Sequence, residues 1–350
     1  RYTVVGKSPL TGAWGDANSG GFFGWELKRT GYDGVFVHGR AEQPVYIWIH
    51  DGTVEIRPAD HLWGLEVGRT QETLETELGD RHLRAAIIGP AGEKLSLISG
   101  VINDRGRAAA RCGLGAVMGS KNLKAVVVRG KRQIPLADKK AMASMNRRLS
   151  EGLKAEPSRL STILGNVLKP LIPWLLRRGS GGVPDQATMI QGFGKHGTSM
   201  LAAASSEMGD APVKNWAGAG YKDFPMRTRS SKISDDNVYR YARKKYACAS
   251  CALGCGALLN VEEGPYAVIE DEHRPEYETL ASFGMMLLND DIESIIKANA
   301  ICSDYGLDTI SAGSTIAFAI ECYENGLLTK EQTDGLELTW GNDTAIIAAL

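Results

Sequence analysis

Cys248-Ala-Ser-Cys251-Ala-Leu-Gly-Cys255 places three thiols within eight residues, at C-x2-C-x3-C spacing. Small residues and a glycine fill the gaps, so the backbone can curl and aim several sulfurs at one point. Three thiolates converging from one loop suit an iron–sulfur cluster, with a fourth ligand supplied from elsewhere. The same donors also suit zinc. Thiols this close together and without a metal would be open to exchange and oxidation, which argues against a purely packing role. Cys112, Cys302 and Cys322 are scattered, so the six cysteines do not form a secreted disulfide framework, and a reducing cytoplasm is the natural setting.

A second group with chemical potential is Arg274-Pro275-Glu276-Tyr277-Glu278-Thr279. Two carboxylates at a helix start are either first-turn acids favoured by the helix dipole or a general acid/base beside a metal site. Farther on, Gly306-Leu307-Asp308-Thr309 ends one helix and starts the next, with Gly306 suited to the C-cap and Asp308 to the N-cap. The Gly-rich stretch Arg107–Lys121 does not meet the G-x4-G-K-[S/T] phosphate loop. It also lacks the preceding strand of a dinucleotide fingerprint. Its consecutive amides, with Arg107 and Arg111, can form an anion nest. Lys7–Gly12 and Ala17–Gly21 are further turn-rich loops with exposed amides. The six histidines are dispersed, and no H-E-x-x-H or G-x-S-x-G motif is present.

These groups must be positioned by the elements around them. Alternation and β-branched content predict strands at Gly34–Gly39, Pro44–His50, Thr53–Arg57, Arg84–Gly89, Leu95–Ile102 and Leu123–Arg129, and the first residues, Arg1–Val5, are strand-like. Asp51-Gly52 predicts a hairpin turn. Helices are expected at Gly21–Arg29 and Thr70–Leu78, the latter ending at Gly79. The texture changes at Ile134-Pro135. Helical periodicity then predicts Ala137–Lys154, Asp235–Ala247, Pro275–Leu288, Ile292–Tyr305 and Thr309–Asn325. The apolar stretch Leu160–Leu176 carries Lys169, Pro170 and Pro173 and is too short to span a bilayer, so a core or interface helix is expected.

With 350 residues, 43% of them apolar, the chain can build two or three domains. A net charge of −1 gives no electrostatic reason for a nucleic-acid or acidic-membrane partner. The absence of an initial Met and a helix-like end at Asn342–Leu350 lead us to expect an internal fragment.

In this order, several segments resemble the aldehyde:ferredoxin oxidoreductase family of tungsten-pterin enzymes. They are Arg1–Gly12, Asn18–Gly21, Glu26–Lys28 with Gly31–Asp33, Ile88–Glu93, Gly115–Ala125, Cys248–Cys255, Pro275–Glu278 and Gly306–Ser311. The resemblance implies an α+β fold: an N-terminal two-sheet β base over residues 1–134, cradling a tungsten-bis-pterin, followed by mostly helical domains over 135–350. Arg1, Asn18, Arg107 and Ala108 match family positions around the pterin phosphates and their bridging magnesium. Asp308 matches a pterin-contacting acid. Cys248, Cys251 and Cys255 match three ligands of a 4Fe–4S cluster whose fourth cysteine is expected beyond Leu350. Glu278 matches an active-site carboxylate. The implied activity oxidises an aldehyde to a carboxylic acid and passes electrons through the cluster to ferredoxin or another electron-transfer protein, as a homo-oligomer or redox complex in the cytoplasm. A related tungsten acyl-CoA reductase and a zinc-stabilised interaction module are the alternatives.

The chain also departs from the family. Ala110-Arg111-Cys112-Gly113 stands where Gly-Arg-Gly-Gly is frequent, so Cys112 is expected to pack rather than ligate. Ser303 replaces an acid, which puts one pterin hydrogen bond in doubt. Lys297 and Ala300 occupy positions where some members bind an intersubunit iron, so none is expected here. Leu160–Gly182 is longer than usual.

Overall fold

The computed structural model describes residues 1–154, 163, 167–179 and 186–350. The fold is α+β, and it divides into two compact units. One comprises Arg1–Leu136 with Ala300–Asp308; the other comprises Ala137–Asn299 with Thr309–Leu350.

The first unit is built on strands. A hairpin pairs β1 (Tyr2–Lys7) with β2 (Trp14–Ser19), Thr3 opposite Asn18. A six-stranded mixed sheet contains β3 (Val45–His50), β4 (Thr53–Pro58), β5 (Arg84–Ile87), β6 (Val101–Asn103), β7 (Arg107–Ala109) and β8 (Leu123–Arg129), in the order β4-β3-β8-β5-β6-β7. β3 and β8 run parallel, and every other neighbouring pair is antiparallel. Asp51 and Gly52 both have positive φ, 47° and 90°, the conformation that a two-residue hairpin turn requires.

Both faces of this sheet are covered, so its central strands are apolar on both sides. On one face Ile47, Ile49, Ala86 and Val128 pack with Phe23 and Leu27 of α1 (Phe23–Thr30). On the other, Tyr46, Trp48, Ala85 and Val127 pack with Val67 and Leu74 of α2 (Val67–Leu78). Truncating one of these buried side chains, such as Leu74, to Ala costs roughly 2–5 kcal/mol. Gly31 and Gly79 end the two helices in the left-handed region, φ 101° and 67°. Two shorter helices follow, α3 (Pro90–Glu93) and α4 (Leu114–Ser120).

The second unit is mainly helical. Its helices are α5 (Lys139–Gly152), α6 (Ile172–Arg177), α7 (Gln186–His196), α8 (Ala202–Met208), α9 (Gly220–Asp223), α10 (Asp235–Tyr239), α11 (Tyr277–Leu280), α12 (Ile292–Tyr305), α13 (Thr309–Glu324) and α14 (Asp343–Ala349). The last residues of α12 belong to the first unit. A three-stranded antiparallel sheet, β11-β10-β9, is formed by β9 (Ala242–Tyr246), β10 (Gly256–Val261) and β11 (Val268–His273).

Three expected elements are corrected. Gly34–Gly39 is irregular rather than a strand. Leu95–Ile102 is mostly turn, and the strand there is the short β6. The helix expected over Asp235–Ala247 stops at Tyr239, and Ala242–Tyr246 pairs with β10 instead. Tertiary pairing overrides the high helix propensity of Ala, Arg and Lys in Ala242–Tyr246. Of the apolar stretch, residues 160–162, 164–166 and 180–182 lie outside the described residues. Ile163, Val167, Leu171 and Trp174 within it are exposed rather than core. No helix among the described residues is long and apolar enough to cross a membrane.

Candidate functional site

In the first unit, one buried amide organises the polar residues. Asn103 is 1% exposed. Its Oδ1 accepts hydrogen bonds from Ser19 Oγ (2.8 Å) and Tyr2 Oη (3.1 Å), while its Nδ2 donates to Gly20 O (3.1 Å) and Asp104 Oδ2 (2.8 Å). Asn103 is also the β6 partner of Arg107 on β7. The hairpin β1–β2 is thereby tied to the sheet edge that carries Arg107 and Ala108. Burial drives the Tyr2 phenol well above its ordinary range, so it stays a neutral donor.

Along β2 the residues alternate between exposed and buried, which puts Asn18 on the outer face. Arg1 Nη1 donates to Asn18 Oδ1 at 2.6 Å. Ala108 is exposed and Arg107 half-buried on the neighbouring β7. Arg111 Nε lies 3.6 Å from Asp308 Oδ2, and Asp308 is 2% exposed. Asp308 reaches this place because the turn after α12 runs against residues 98–100. Gly100 N donates to Gly306 O (2.8 Å) and Asp308 N to Ile98 O (2.9 Å). A Cβ at Gly89 would sit 2.3 Å from Tyr305 O, so that backbone approach requires glycine. Cys112, beside Arg111, has φ 73°, a conformation that favours glycine; its Sγ is 3.8 Å from Asp16 O.

Arg1, just before β1, is bonded to Asn18 on β2, Arg107 and Ala108 lie on β7, and Asp308 meets Arg111. Guanidinium groups and an amide on this donor set suit phosphate, and amide and backbone carbonyl oxygens suit magnesium.

In the second unit the three cysteines occupy the connection between β9 and β10, whose ends are joined where Gly256 pairs with Tyr246. Ser250 and Gly254 have φ 58° and 61°, which curls the loop, and Cys251 N donates to Cys248 O at 3.0 Å. Cys248 and Cys255 are half-buried and Cys251 is exposed. The expected convergence of sulfurs is not seen. Among the described residues no three His, Cys, Asp or Glu side chains are gathered to hold a metal ion. The donor type, the spacing and the curled loop fit a metal cluster.

Glu278 is the exposed residue of the short helix α11, whose Thr279 and Leu280 are buried. Thr198 fixes that helix: its Oγ1 accepts from Tyr277 N (2.8 Å) and is bonded to the Glu276 carboxylate. The two carboxylates therefore differ. That of Glu276 is engaged at the helix start, and that of Glu278 faces outward. A buried π-helical turn, Ala281–Met285, follows directly, a feature frequent at functional sites. Ser282 Oγ donates to Thr309 O at 3.1 Å, pinning this turn to α13. A Cβ at Gly313 would lie 2.7 Å from Ser282 O, so the two backbones are in close approach.

Sequence reasoning did not find Asn103 or Thr198. Asn103 carried one signal, a polar residue closing an apolar strand; Thr198 carried none.

The model of the aldehyde ferredoxin oxidoreductase N-terminal domain matches residues 1–130, and the model of domains 2 and 3 of the same family matches residues 181–350. The chain is a member of the aldehyde ferredoxin oxidoreductase family.

Among curated proteins, the tungsten-containing aldehyde ferredoxin oxidoreductase of Pyrococcus furiosus is 39% identical over 343 residues, covering 98% of this chain and 50% of that protein. Its counterpart in Thermococcus kodakarensis is 38% identical, with coverage of 98% and 50%. The WOR-like subunit of an aliphatic sulfonate oxidoreductase from Pyrococcus furiosus is 30% identical over 364 residues, covering 100% of this chain and 52% of that protein. Among solved structures, the active-site complex BamBC of benzoyl coenzyme A reductase with 1,5-dienoyl-CoA is similar, with a TM-score of 0.72 and 25% identity. That match covers 99% of this chain and 48% of the other. The chain spans about half the length of the curated relatives it matches.

Proposed function

We propose that this chain serves a tungsten-dependent enzyme that oxidises aldehydes to carboxylic acids and delivers the electrons to ferredoxin or a similar acceptor. Each turnover takes one aldehyde and one water and yields one carboxylic acid, two protons and two electrons. The observation that carries the reading is the outward carboxylate of Glu278 on a helix start locked by Thr198, in a chain whose more similar relatives are named for tungsten-containing aldehyde oxidation.

The tungsten-bis-pterin group, when bound, supplies the two-electron redox chemistry. Arg1, Asn18 and Arg107 would hold the pterin phosphates. The Asn18 amide oxygen and the Ala108 carbonyl are oxygen donors of the kind magnesium requires. Asp308, buried beside Arg111, would be the acid that contacts the pterin. Cys248, Cys251 and Cys255 are three ligands of a 4Fe–4S cluster. Glu278 acts as general base, taking the proton from the water oxygen as that oxygen adds to the aldehyde carbon.

The test is Glu278→Gln in the complete metal-loaded enzyme. Turnover is expected to fall on the order of 10²–10⁴-fold, the usual worth of a positioned base, with tungsten and iron content unchanged. Wild-type turnover in the variant would remove Glu278 from the mechanism. Anaerobically purified enzyme holding neither tungsten nor iron would remove the cofactors. A second reading, reduction of an aromatic acyl-CoA, is favoured by the likeness to the benzoyl coenzyme A reductase complex. Benzoyl-CoA turnover without aldehyde turnover would select it.

A further inference from the structure

Arg274, between β11 and α11, is 4% exposed. Its Nη2 donates to the carbonyl of Cys255 (2.5 Å) and its Nη1 to the carbonyl of Lys195 on α7 (3.1 Å). Its own amide donates to Ala257 O at 2.9 Å, so backbone and side chain both grip the segment that follows the third cysteine. The guanidinium lies where residue 197 has no side chain. A Cβ at Gly197 would sit 1.9 Å from Arg274 Nη2, and Gly197 has φ 62°. A buried arginine remains charged, because its pKa is too high for burial to discharge it.

Resting on the assignment of Cys248, Cys251 and Cys255 as cluster ligands, we propose that Arg274 is a positioning residue for the iron–sulfur site. It clamps the Cys255 end of the loop to α7. It also fixes a buried positive charge there that favours the reduced cluster. Reduction adds one negative charge to the cluster, and nearby charge and hydrogen bonding are among the determinants of its potential. The planar fork of arginine reaches two carbonyls at once, whereas a lysine ammonium supplies the charge without the fork.

The experiment uses the metal-loaded enzyme prepared without oxygen, as wild type, Arg274→Gln, Arg274→Lys and Gly197→Ala. The readouts are iron per protein, the rate of iron loss to a chelator, and the cluster midpoint potential from a redox titration followed by EPR. Arg274→Gln is expected to lower the reduced-to-oxidised ratio at fixed potential about tenfold, equivalent to about 59 mV for one electron, and to speed iron loss several-fold. Arg274→Lys should keep the potential and still lose iron faster. Gly197→Ala, which displaces the guanidinium while leaving every cysteine in place, should also lose iron faster.

Wild-type potential and iron loss in Arg274→Gln would overturn the proposal. Equal shifts of potential in the Gln and Lys variants would overturn the role of charge. If Arg274→Gln does not fold, wild-type iron loss in both remaining variants overturns the clamp. Wild-type enzyme without iron would instead bring down the assignment of the cysteines, and this inference with it.

Discussion

The hydroxyl of Thr198 accepts a 2.8 Å hydrogen bond from the amide of Tyr277, and Tyr277 is the first residue of the helix that displays Glu278. The segment at Gly197–Leu201 therefore acts as a cap from a distance in sequence. Burial also raises the Tyr277 phenol pKa, so the residue stays neutral beside Glu278. Thr198→Ala should lower stability by about 1 kcal/mol, the usual worth of a helix cap, read as a shift in denaturant midpoint. If the cap also orients Glu278, kcat for aldehyde should fall while KM holds. Thr198→Ser, which keeps the hydroxyl, should restore both.

Asn103 ties the hairpin β1–β2 to β6 through bonds to Ser19, Tyr2 and Gly20. Asn103→Ala leaves buried donors and acceptors unmatched, at a cost of about 1–3 kcal/mol for each group orphaned. Amide hydrogen exchange in Tyr2–Lys7 and Trp14–Ser19 should quicken, with β3 and β8 protected as before. Unchanged exchange in the hairpin would show that other contacts hold it.

Lys124 is fully buried and pairs with Glu93. Its Nζ also donates to Leu65 O (2.8 Å), and Glu93 Oε2 accepts from Gly64 N (2.8 Å). Burial lowers the Lys124 pKa, opposed by Glu93. Glu93→Ala should destabilise the protein by about 3–5 kcal/mol, because it strands a buried charge. Lys124→Met in that background should recover part of the loss. A double-mutant cycle on chemical denaturation measures the coupling.

Burial, with Asp236 adding repulsion, raises the Asp235 carboxyl from 3.8 to about 6, against the pull of Lys195. The folded state then holds the proton more tightly than the unfolded chain. The stability contributed by this group is full below the unfolded pKa of 3.8 and is lost as pH rises through the folded value near 6. Asp235→Asn removes the titration. It should be more stable than wild type by about 3 kcal/mol at pH 7.5, with the gap narrowing to about 1 kcal/mol at pH 4.5 and closing below the unfolded pKa. A gap independent of pH would refute the assignment.

Local signals decided much of the fold. Asp51-Gly52 specified its hairpin, Gly79 ended α2, and the β-branched and aromatic run of Pro44–His50 marked a strand. These are properties of a few adjacent residues, and no distant partner is needed to express them. Ala17–Gly21 reads as a turn-rich loop, because Asn18, Ser19 and the two glycines are weak strand formers, yet its first three residues belong to β2. It is a strand because β1 pairs with it along its whole length.

By itself, the sequence determined which residue types stand at the chemical positions: three thiols in one short loop, two glutamates at a helix start, arginines flanking a Gly-rich turn. Their spacing is covalent and survives any fold. Only the tertiary structure decided that Ala300–Asp308 joins the strand-built unit and brings Asp308 to Arg111, that Thr198 locks the helix of Glu278, and that Arg274 grips the cysteine loop. Each of those contacts joins residues far apart along the chain. They form only when the loop-closure entropy is offset by packing that no local window contains.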